Sequence, residues 1–155
     1  MDSKLAIKRS ENELKLARII FTLSEKPKVQ QEIFDINDPD TYYSATISHA
    51  YYSIFYAARA YLLTKGIKTV PPEEHRQAYE SFKTFVENGE LDVELLKIYQ
   101  QAIIRADLLL GIFKQEKQKR GIFTYRTLPQ ANKTPAQESI DHATTFYKHI
   151  SNILN

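Results

Sequence analysis

The chain has no cysteine and no tryptophan, and it has only four glycines and one methionine among its 155 residues. The absence of cysteine excludes a disulfide scaffold and a metal site with thiolate ligands, and it is typical of proteins of the reducing cytoplasm. Segments that alternate Val, Ile or Thr with polar residues are nearly absent, so a β-sheet has little support. We therefore expect an all-α, cytoplasmic protein.

Long apolar segments are also missing. No stretch approaches the roughly 18 consecutive apolar residues that a membrane-spanning helix needs, and the first residues, "MDSKLAIKRSENELKL", lack the apolar block of a signal peptide. The sequence contains no glycine-rich phosphate loop and no HExxH, CxxC or GxSxG motif. Histidines and carboxylates are never spaced as ligand pairs on one helical face. We expect no metal, no cofactor and no membrane segment.

Apolar residues recur at helical spacing in five segments. A chain of 155 residues, of which 43% are apolar and 26% are charged, has enough apolar side chains for the core of one globular domain over residues 1–155. The predicted helices span about 4–25, 38–65, 72–88 and 93–120, and a last helix is capped by Thr134. Joined by short turns, they predict an antiparallel bundle of about five helices.

The predicted boundaries rest on capping residues. Asp38, followed by Pro39, has the pattern of an N-cap with proline at the first helical position. Glycine ends three of the helices, because it tolerates the left-handed conformation found after helix ends. The second helix contains the aromatic stretch "SHAYYSIFYAARAYLL" and is apolar around most of its circumference. We expect it to be the central helix, with its polar tips at the floor of a cleft. The glycines are Gly66, Gly89 and Gly121, and Asp92 is expected to cap the fourth helix.

Positive charge is concentrated late in the chain. Residues 114–133 carry a local charge of +5 and the rest of the chain −3, for a net charge of +2. Such a segment, including a basic loop at about 121–133, can attract phosphate groups. A solvated helix end is the alternative reading. The cations are Lys114, Lys117, Lys119, Arg120, Arg126 and Lys133.

Several polar residues are predicted to meet at one end of the bundle. We expect the second and fourth helices to run parallel, with the third antiparallel, and the fourth to project about 20 Å beyond the third. This arrangement places Arg59, His75 and Arg105 at the same end, near Asp107. The structural alternatives are an interhelical ion pair for Arg105 or Asp107 and a surface position for His75. The projecting part carries Arg120, Tyr125 and Arg126.

Four stretches of the sequence are informative together: "TYYSATISHAYYSIFYAARAYLLTKGI", "EEHRQAYESFKTFVENGELDVELL", "RGIFTY" and "ESIDHATTFYKHISNIL". They resemble the HEPN family (higher eukaryotes and prokaryotes nucleotide-binding) over most of the chain. The resemblance implies a helical bundle that commonly dimerises. It also implies pairing with a minimal nucleotidyltransferase in toxin–antitoxin modules.

Ribonuclease members of this family use arginine and a nearby histidine to cut RNA without metal. The resemblance maps the arginine to Arg120, but "RGIFTYRT" has Tyr125 five residues later, as in a HEPN subgroup with an R-x4-Y pattern. Thr124 stands where that subgroup often has aspartate. By the same resemblance Tyr125 is a candidate acceptor of AMP, and helix counting makes His75 a candidate imidazole.

Three functions follow as hypotheses. The first is an accessory subunit of a nucleotidyltransferase in a toxin–antitoxin or defence module, which binds RNA or nucleotide. The second is a metal-independent ribonuclease toxin that acts as a homodimer, with Arg120, Tyr125 and His75 as catalytic residues. The third is a non-catalytic interaction module. The expected binding residues are Arg59, Arg105, Lys117, Lys119, Arg120 and Arg126.

Overall fold

Helices make up most of the residues described by the structure, a computed structural model that covers residues 1–111 and 132–155. No β-strand occurs in these two ranges, and the predicted all-α class is confirmed. No helix within them is long and apolar enough to span a membrane. In chain order the helices are α1 (Ser3–Ser24), α2 (Pro27–Glu32), α3 (Tyr43–Thr64), α4 (Glu74–Glu87), α5 (Val93–Leu110) and α6 (Lys133–Leu154).

Helix α3 is the centre of the bundle, as its aromatic composition predicts. It packs against α1, α4, α5 and α6, and its buried side chains include Tyr51 and Phe55. The rings of Phe82, Tyr99 and Phe146, from α4, α5 and α6, meet with centroid separations of 5.3 to 5.7 Å. Fully burying one such side chain contributes about 1.5–3 kcal/mol, so these aromatic contacts fix how the helices pack.

The directions of the helices differ from the prediction. Helix α4 runs parallel to α3, because His75 near its start contacts Tyr51 whereas Phe85 near its end contacts Tyr61. Helix α5 runs antiparallel to α3, since Leu109 near its end packs on the buried cluster of Tyr43 and Ile47 at the start of α3. The prediction that α3 and α5 are parallel was wrong. The connection over residues 65–73 is not a tight turn; it returns along α3 before α4 begins.

Two of the predicted glycine stops are confirmed and one helix end was misplaced. Gly66 and Gly89 have φ of 75° and 87° after α3 and α4. The predicted fourth helix was to continue to Arg120, but α5 ends at Leu110. Gly111 adopts the left-handed conformation with φ of 63°, and its N–H donates to the Asp107 carbonyl. This glycine is the C-terminal stop of the helix.

The start of α3 also differs from the prediction. Asp38 is not its N-cap, because the helix begins at Tyr43. The side chain of Gln30, fully buried in α2, holds the backbone of Asp40 through two hydrogen bonds of 2.8 and 3.0 Å. The hydroxyl of Ser24 accepts a hydrogen bond from the N–H of Tyr42 at 2.7 Å. These contacts hold the segment before α3 in a non-helical path.

Three helix starts lie within two residues of the prediction. The carboxylate of Asp92 accepts a hydrogen bond of 2.9 Å from the N–H of Glu94, so Asp92 is the predicted N-cap of α5. Helix α6 begins at Lys133 with Asn132 as its N-cap, so the predicted cap Thr134 was wrong by two residues. Helix α4 begins at Glu74, two residues after Pro72.

Candidate functional site

The imidazole of His75 lies against the central helix. His75 is in the first turn of α4, and its Nδ1 lies 2.8 Å from the phenolic oxygen of Tyr51. Its ring stacks on Phe55, with centroids 4.2 Å apart and an interplanar angle of 26°. Tyr51 and Phe55 are four residues apart, so they lie on the same face of α3 and hold the ring from two directions.

Arg59 is one turn further along the same face of α3. Its guanidinium carbon lies 5.9 Å from the centroid of the Phe55 ring, and its Nη1 lies 3.6 Å from a carboxylate oxygen of Glu74. The buried Nε of Arg59 has no hydrogen-bond partner. The arginine and the histidine therefore contact the same aromatic ring, that of Phe55, and the Arg59 side chain keeps 20% of its surface accessible.

Burial controls the protonation of the imidazole. It lowers the pKa of His75 below 6.5; the Glu74 carboxylate acts in the opposite direction, and the Arg59 guanidinium reinforces the lowering. His75 is therefore mostly neutral at pH 7. Burial also raises the pKa of Tyr51, with smaller contributions from neighbouring groups that include Asp107. Tyr51 stays protonated, and in the tautomer with the imidazole proton on Nε2 it donates to Nδ1.

Arg105 contacts a different helix. Its Nη2 donates to the Glu138 carboxylate at 2.6 Å, and its Nη1 lies 3.2 Å from Nδ1 of His142. These contacts join α5 to α6, so the interhelical ion pair predicted as the structural alternative for Arg105 is confirmed. Burial and the neighbouring guanidinium of Arg105 lower the pKa of His142. A role of Arg105 in nucleic-acid binding remains a prediction.

Other predicted site residues lie outside the described part of the chain. These are Lys117, Lys119, Arg120, Tyr125 and Arg126. Of the expected basic loop only the end is described, where Lys133 forms an ion pair with Glu25. The chain enters this segment at Gly111, directly after α5, and leaves it at Asn132, directly before α6.

Sequence reasoning brought Arg59 and His75 to one place but missed how they are held. The supporting residues are Tyr51, Phe55 and Glu74, none of which was a predicted site residue. The available signal was the four-residue spacing of Tyr51, Phe55 and Arg59, which places two rings and a cation on one helical face. Among the described residues no group of three or more His, Asp or Glu side chains is arranged to hold a metal ion.

The protein is an all-α bundle in which Arg59 and His75 lie against the aromatic side chain of Phe55 on the central helix. The HEPN domain family model matches residues 35–153, and the chain therefore belongs to the HEPN family. The protein named "Putative toxin MJ0142" from Methanocaldococcus jannaschii is 35% identical over 91 residues, which cover 58% of this chain and 60% of that protein. The match thus spans less than two thirds of the relative's length. No solved structure matches the chain significantly.

Proposed function

We propose that this chain is the HEPN component of a prokaryotic toxin–antitoxin or defence module. In this role it binds RNA or a nucleotide and acts as the accessory subunit of a nucleotidyltransferase. Family membership and the relative named as a toxin support the toxin-like class. The observation that supports the proposal is that the Arg59 guanidinium and the His75 imidazole both contact the ring of Phe55.

The chemistry of this pair suits a phosphate group. An arginine guanidinium forms strong, charge-assisted hydrogen bonds to phosphate oxygens. The Arg59 side chain is 20% exposed, and the only ion pair of its guanidinium among the described contacts is the 3.6 Å approach to Glu74. At that distance a phosphate dianion or diester can compete with the partly exposed Glu74 carboxylate for the Arg59 guanidinium. The Nε2–H of neutral His75 supplies a further donor.

The basic segment after α5 extends the binding surface in this proposal. Lys117, Lys119, Arg120 and Arg126 provide four cations for successive phosphates of a single strand. Neutralising four phosphates of a single strand gives a salt slope of about −2.8, or roughly 50-fold weaker binding at about 200 mM than at about 50 mM salt. Fluorescence anisotropy with labelled single-stranded RNA measures this slope.

The four-fold variant that changes these cations to glutamine tests the same surface. It is expected to bind weakly and to lose most of the salt dependence, whereas a variant with Lys148, Lys97, Lys83 and Lys68 changed to glutamine should keep both. These four control lysines lie on the described helices and on the α3–α4 connection. If the RNA affinity does not change with salt concentration, or if it is equal in the two variants, this segment does not bind RNA electrostatically.

Ribonuclease activity is the second candidate function, and the lowered pKa of His75 favours it. In the other tautomer, whose Nδ1–H donates to the Tyr51 oxygen, the free Nε2 of neutral His75 accepts a proton from an attacking hydroxyl at pH 7, whereas an ordinary phenol titrates at about 10. If expression of the chain arrests growth, and Arg120→Ala or His75→Gln abolishes the arrest, the ribonuclease toxin is supported. RNA cleavage in excess chelator tests whether it is independent of metal. Intact RNA together with a stable transferase complex supports the accessory subunit.

A homodimer and modification of Tyr125 complete the proposal. Mass measured by light scattering at several concentrations distinguishes the expected dimer from a monomer. Incubation with the co-encoded transferase and ATP should add the mass of one AMP to the wild-type chain and nothing to Tyr125→Phe. An unmodified wild-type chain removes Tyr125 as an acceptor and leaves the binding proposal to its own test.

A further inference from the structure

Helix α1 has a second apolar stripe, rotated about 120° around the helix axis from the buried one. Its inner face buries Ala6, Leu14 and Ala17 against the bundle. On the outer face Leu5, Leu16 and Ile19 are 56%, 39% and 62% exposed. A surface helix usually carries polar residues on the face away from the core. The outer face of α1 is therefore an apolar surface without a partner among the described residues.

The outer residues follow a regular spacing. Leu5, Arg9, Asn12, Leu16, Ile19 and Leu23 are separated alternately by four and three residues. This is the spacing of the residues that form the contact seam of a coiled coil. At about 1.5 Å per residue the seam is about 27 Å long. It matches the length over which a second helix packs alongside the first.

The apolar surface continues past the end of α1. Ile19 and Leu23 line a groove of about 330 Å³ together with Val29 and Phe34 from the segment around α2. Phe34 is 57% exposed, and the neighbouring Ile33 is 68% exposed. The seam and this groove form one continuous surface, which we call the α1 face.

The charges are mostly positive on the Lys8 and Lys15 flank of the α1 face and in the groove. On the other flank Glu13 is held by Arg9 and His49. Lys8 and Lys15 share a single carboxylate, Glu11, at 2.7 and 3.3 Å. Arg18 and Lys26 line the groove, and neither has an ion pair among the described contacts. A second copy of the chain would bring the same excess of cations to the interface. A partner with acidic residues would neutralise it.

This face lies in a part of the chain that the family comparison does not cover. The HEPN match begins at residue 35, after α1, α2 and Phe34. The surface is also distinct from the Arg59–His75 pair, which faces α4. It therefore carries an inference that stands independently of the proposed function.

We propose that the α1 face is a docking surface for an amphipathic helix of another protein. That helix presents apolar residues at alternating four- and three-residue spacing to Leu5, Leu16, Ile19 and Leu23. Aspartate or glutamate residues flank its apolar stripe and lie opposite Lys8 and Lys15. Its end inserts an apolar side chain into the groove at Phe34.

The probe for this surface is a designed peptide of four heptads with leucine in its apolar positions and glutamate at the flanking ones. The matched control peptide carries lysine in place of each glutamate. Isothermal titration of the full chain should give binding of the glutamate peptide that weakens with salt, and at least about tenfold weaker binding of the lysine peptide. Amide chemical-shift changes should concentrate on residues 5–34.

The variant that carries both Leu16→Glu and Ile19→Glu should bind the glutamate peptide at least about tenfold more weakly than the wild type does. Ile104→Glu is the matched control, because Ile104 is a similarly exposed residue on α5, at 66%. Circular dichroism checks that each variant retains its helices. Equal binding of both peptides, equal binding by the two variants, or no binding of the glutamate peptide overturns the proposal.

Two other occupants of the α1 face have their own outcomes in this test. If the full chain forms a dimer that is lost only in the variant with both Leu16→Glu and Ile19→Glu, that result assigns the face to a second copy and overturns the proposal. Co-flotation of the wild-type chain, but not of this variant, with vesicles of anionic lipid assigns the face to a membrane surface and overturns it as well.

Discussion

The phenolic oxygen of Tyr51 lies 2.8 Å from Nδ1 of His75, although the two residues are 24 positions apart in the sequence. The contact joins the middle of α3 to the first turn of α4. It explains why His75 is half-buried and stacked on Phe55 instead of lying free on the surface. It also leaves Nε2 as the imidazole nitrogen for a ligand.

Replacing Tyr51 by phenylalanine removes this hydrogen bond and leaves Nδ1 of His75 without its partner. The expected loss is about 1 kcal/mol in the free energy of unfolding, measured by urea denaturation. Tyr99→Phe is the matched control, because the hydroxyl of Tyr99 is buried without a hydrogen-bond partner. That change should be neutral or slightly stabilising. Equal losses in the two variants would mean that the Tyr51–His75 bond contributes nothing specific.

The lowered pKa of His75 predicts how stability depends on pH. As the pH falls through 6.5, the ordinary pKa of histidine in the unfolded chain, the unfolded state binds a proton before the folded state does. Stability is therefore lost as the pH falls from 6.5 towards the folded pKa, and His75→Gln should reduce this loss. NMR titration of the imidazole gives the folded pKa directly. A folded pKa above 6.5 reverses the sign and contradicts the prediction.

Gln30 is a buried polar group with a structural role. Besides its two bonds to Asp40, its amide donates to the carbonyl of Leu23 at 2.8 Å. Gln30→Met leaves three backbone groups without this partner, and we expect a loss of about 2 kcal/mol in unfolding free energy. Gln31→Met is the control, since Gln31 is exposed in the same helix. Thermal or urea unfolding that shows the same small change in both variants would contradict this role.

The ion pair of Arg105 and Glu138 connects α5 to α6. Because Glu138 is about half exposed, with 52% of its side chain accessible, the pair should contribute only about 0.5–1 kcal/mol. A double-mutant cycle with Arg105→Gln and Glu138→Gln measures the coupling. A value of zero, together with an RNA affinity that falls in Arg105→Gln, would move Arg105 from a structural to a binding role.

Composition and periodicity were sufficient to predict the helical class and the central position of α3. Left-handed glycines and a capping aspartate placed the ends of several helices, because these effects are local. The directions of α4 and α5 were wrong, since a connecting segment with two prolines does not reveal by pattern whether it turns sharply or returns along its neighbour. Gly111 was missed as a stop because the apolar pattern continues beyond it.

The candidate site was predicted in part. Arg59 and His75 do lie near each other, but the helix directions from which this was predicted were wrong, and the contact of His75 with Tyr51 depends on the register of two parallel helices. Register follows from packing of side chains and not from the spacing within either helix. The α1 face was not predicted, because the apolar residues of α1 were interpreted as one broad stripe. Periodicity within a helix does not show which of those residues pack on the core.

The most direct test of the account is the RNA affinity of Arg59→Gln, measured by fluorescence anisotropy against salt. If Arg59 holds a phosphate, this variant should bind about tenfold more weakly and its salt slope should be smaller by about 0.7. Arg18→Gln, an exposed arginine on α1, should bind as the wild type does. If Arg59→Gln instead keeps the affinity and the salt slope of the wild type, Arg59 and His75 do not form a phosphate site.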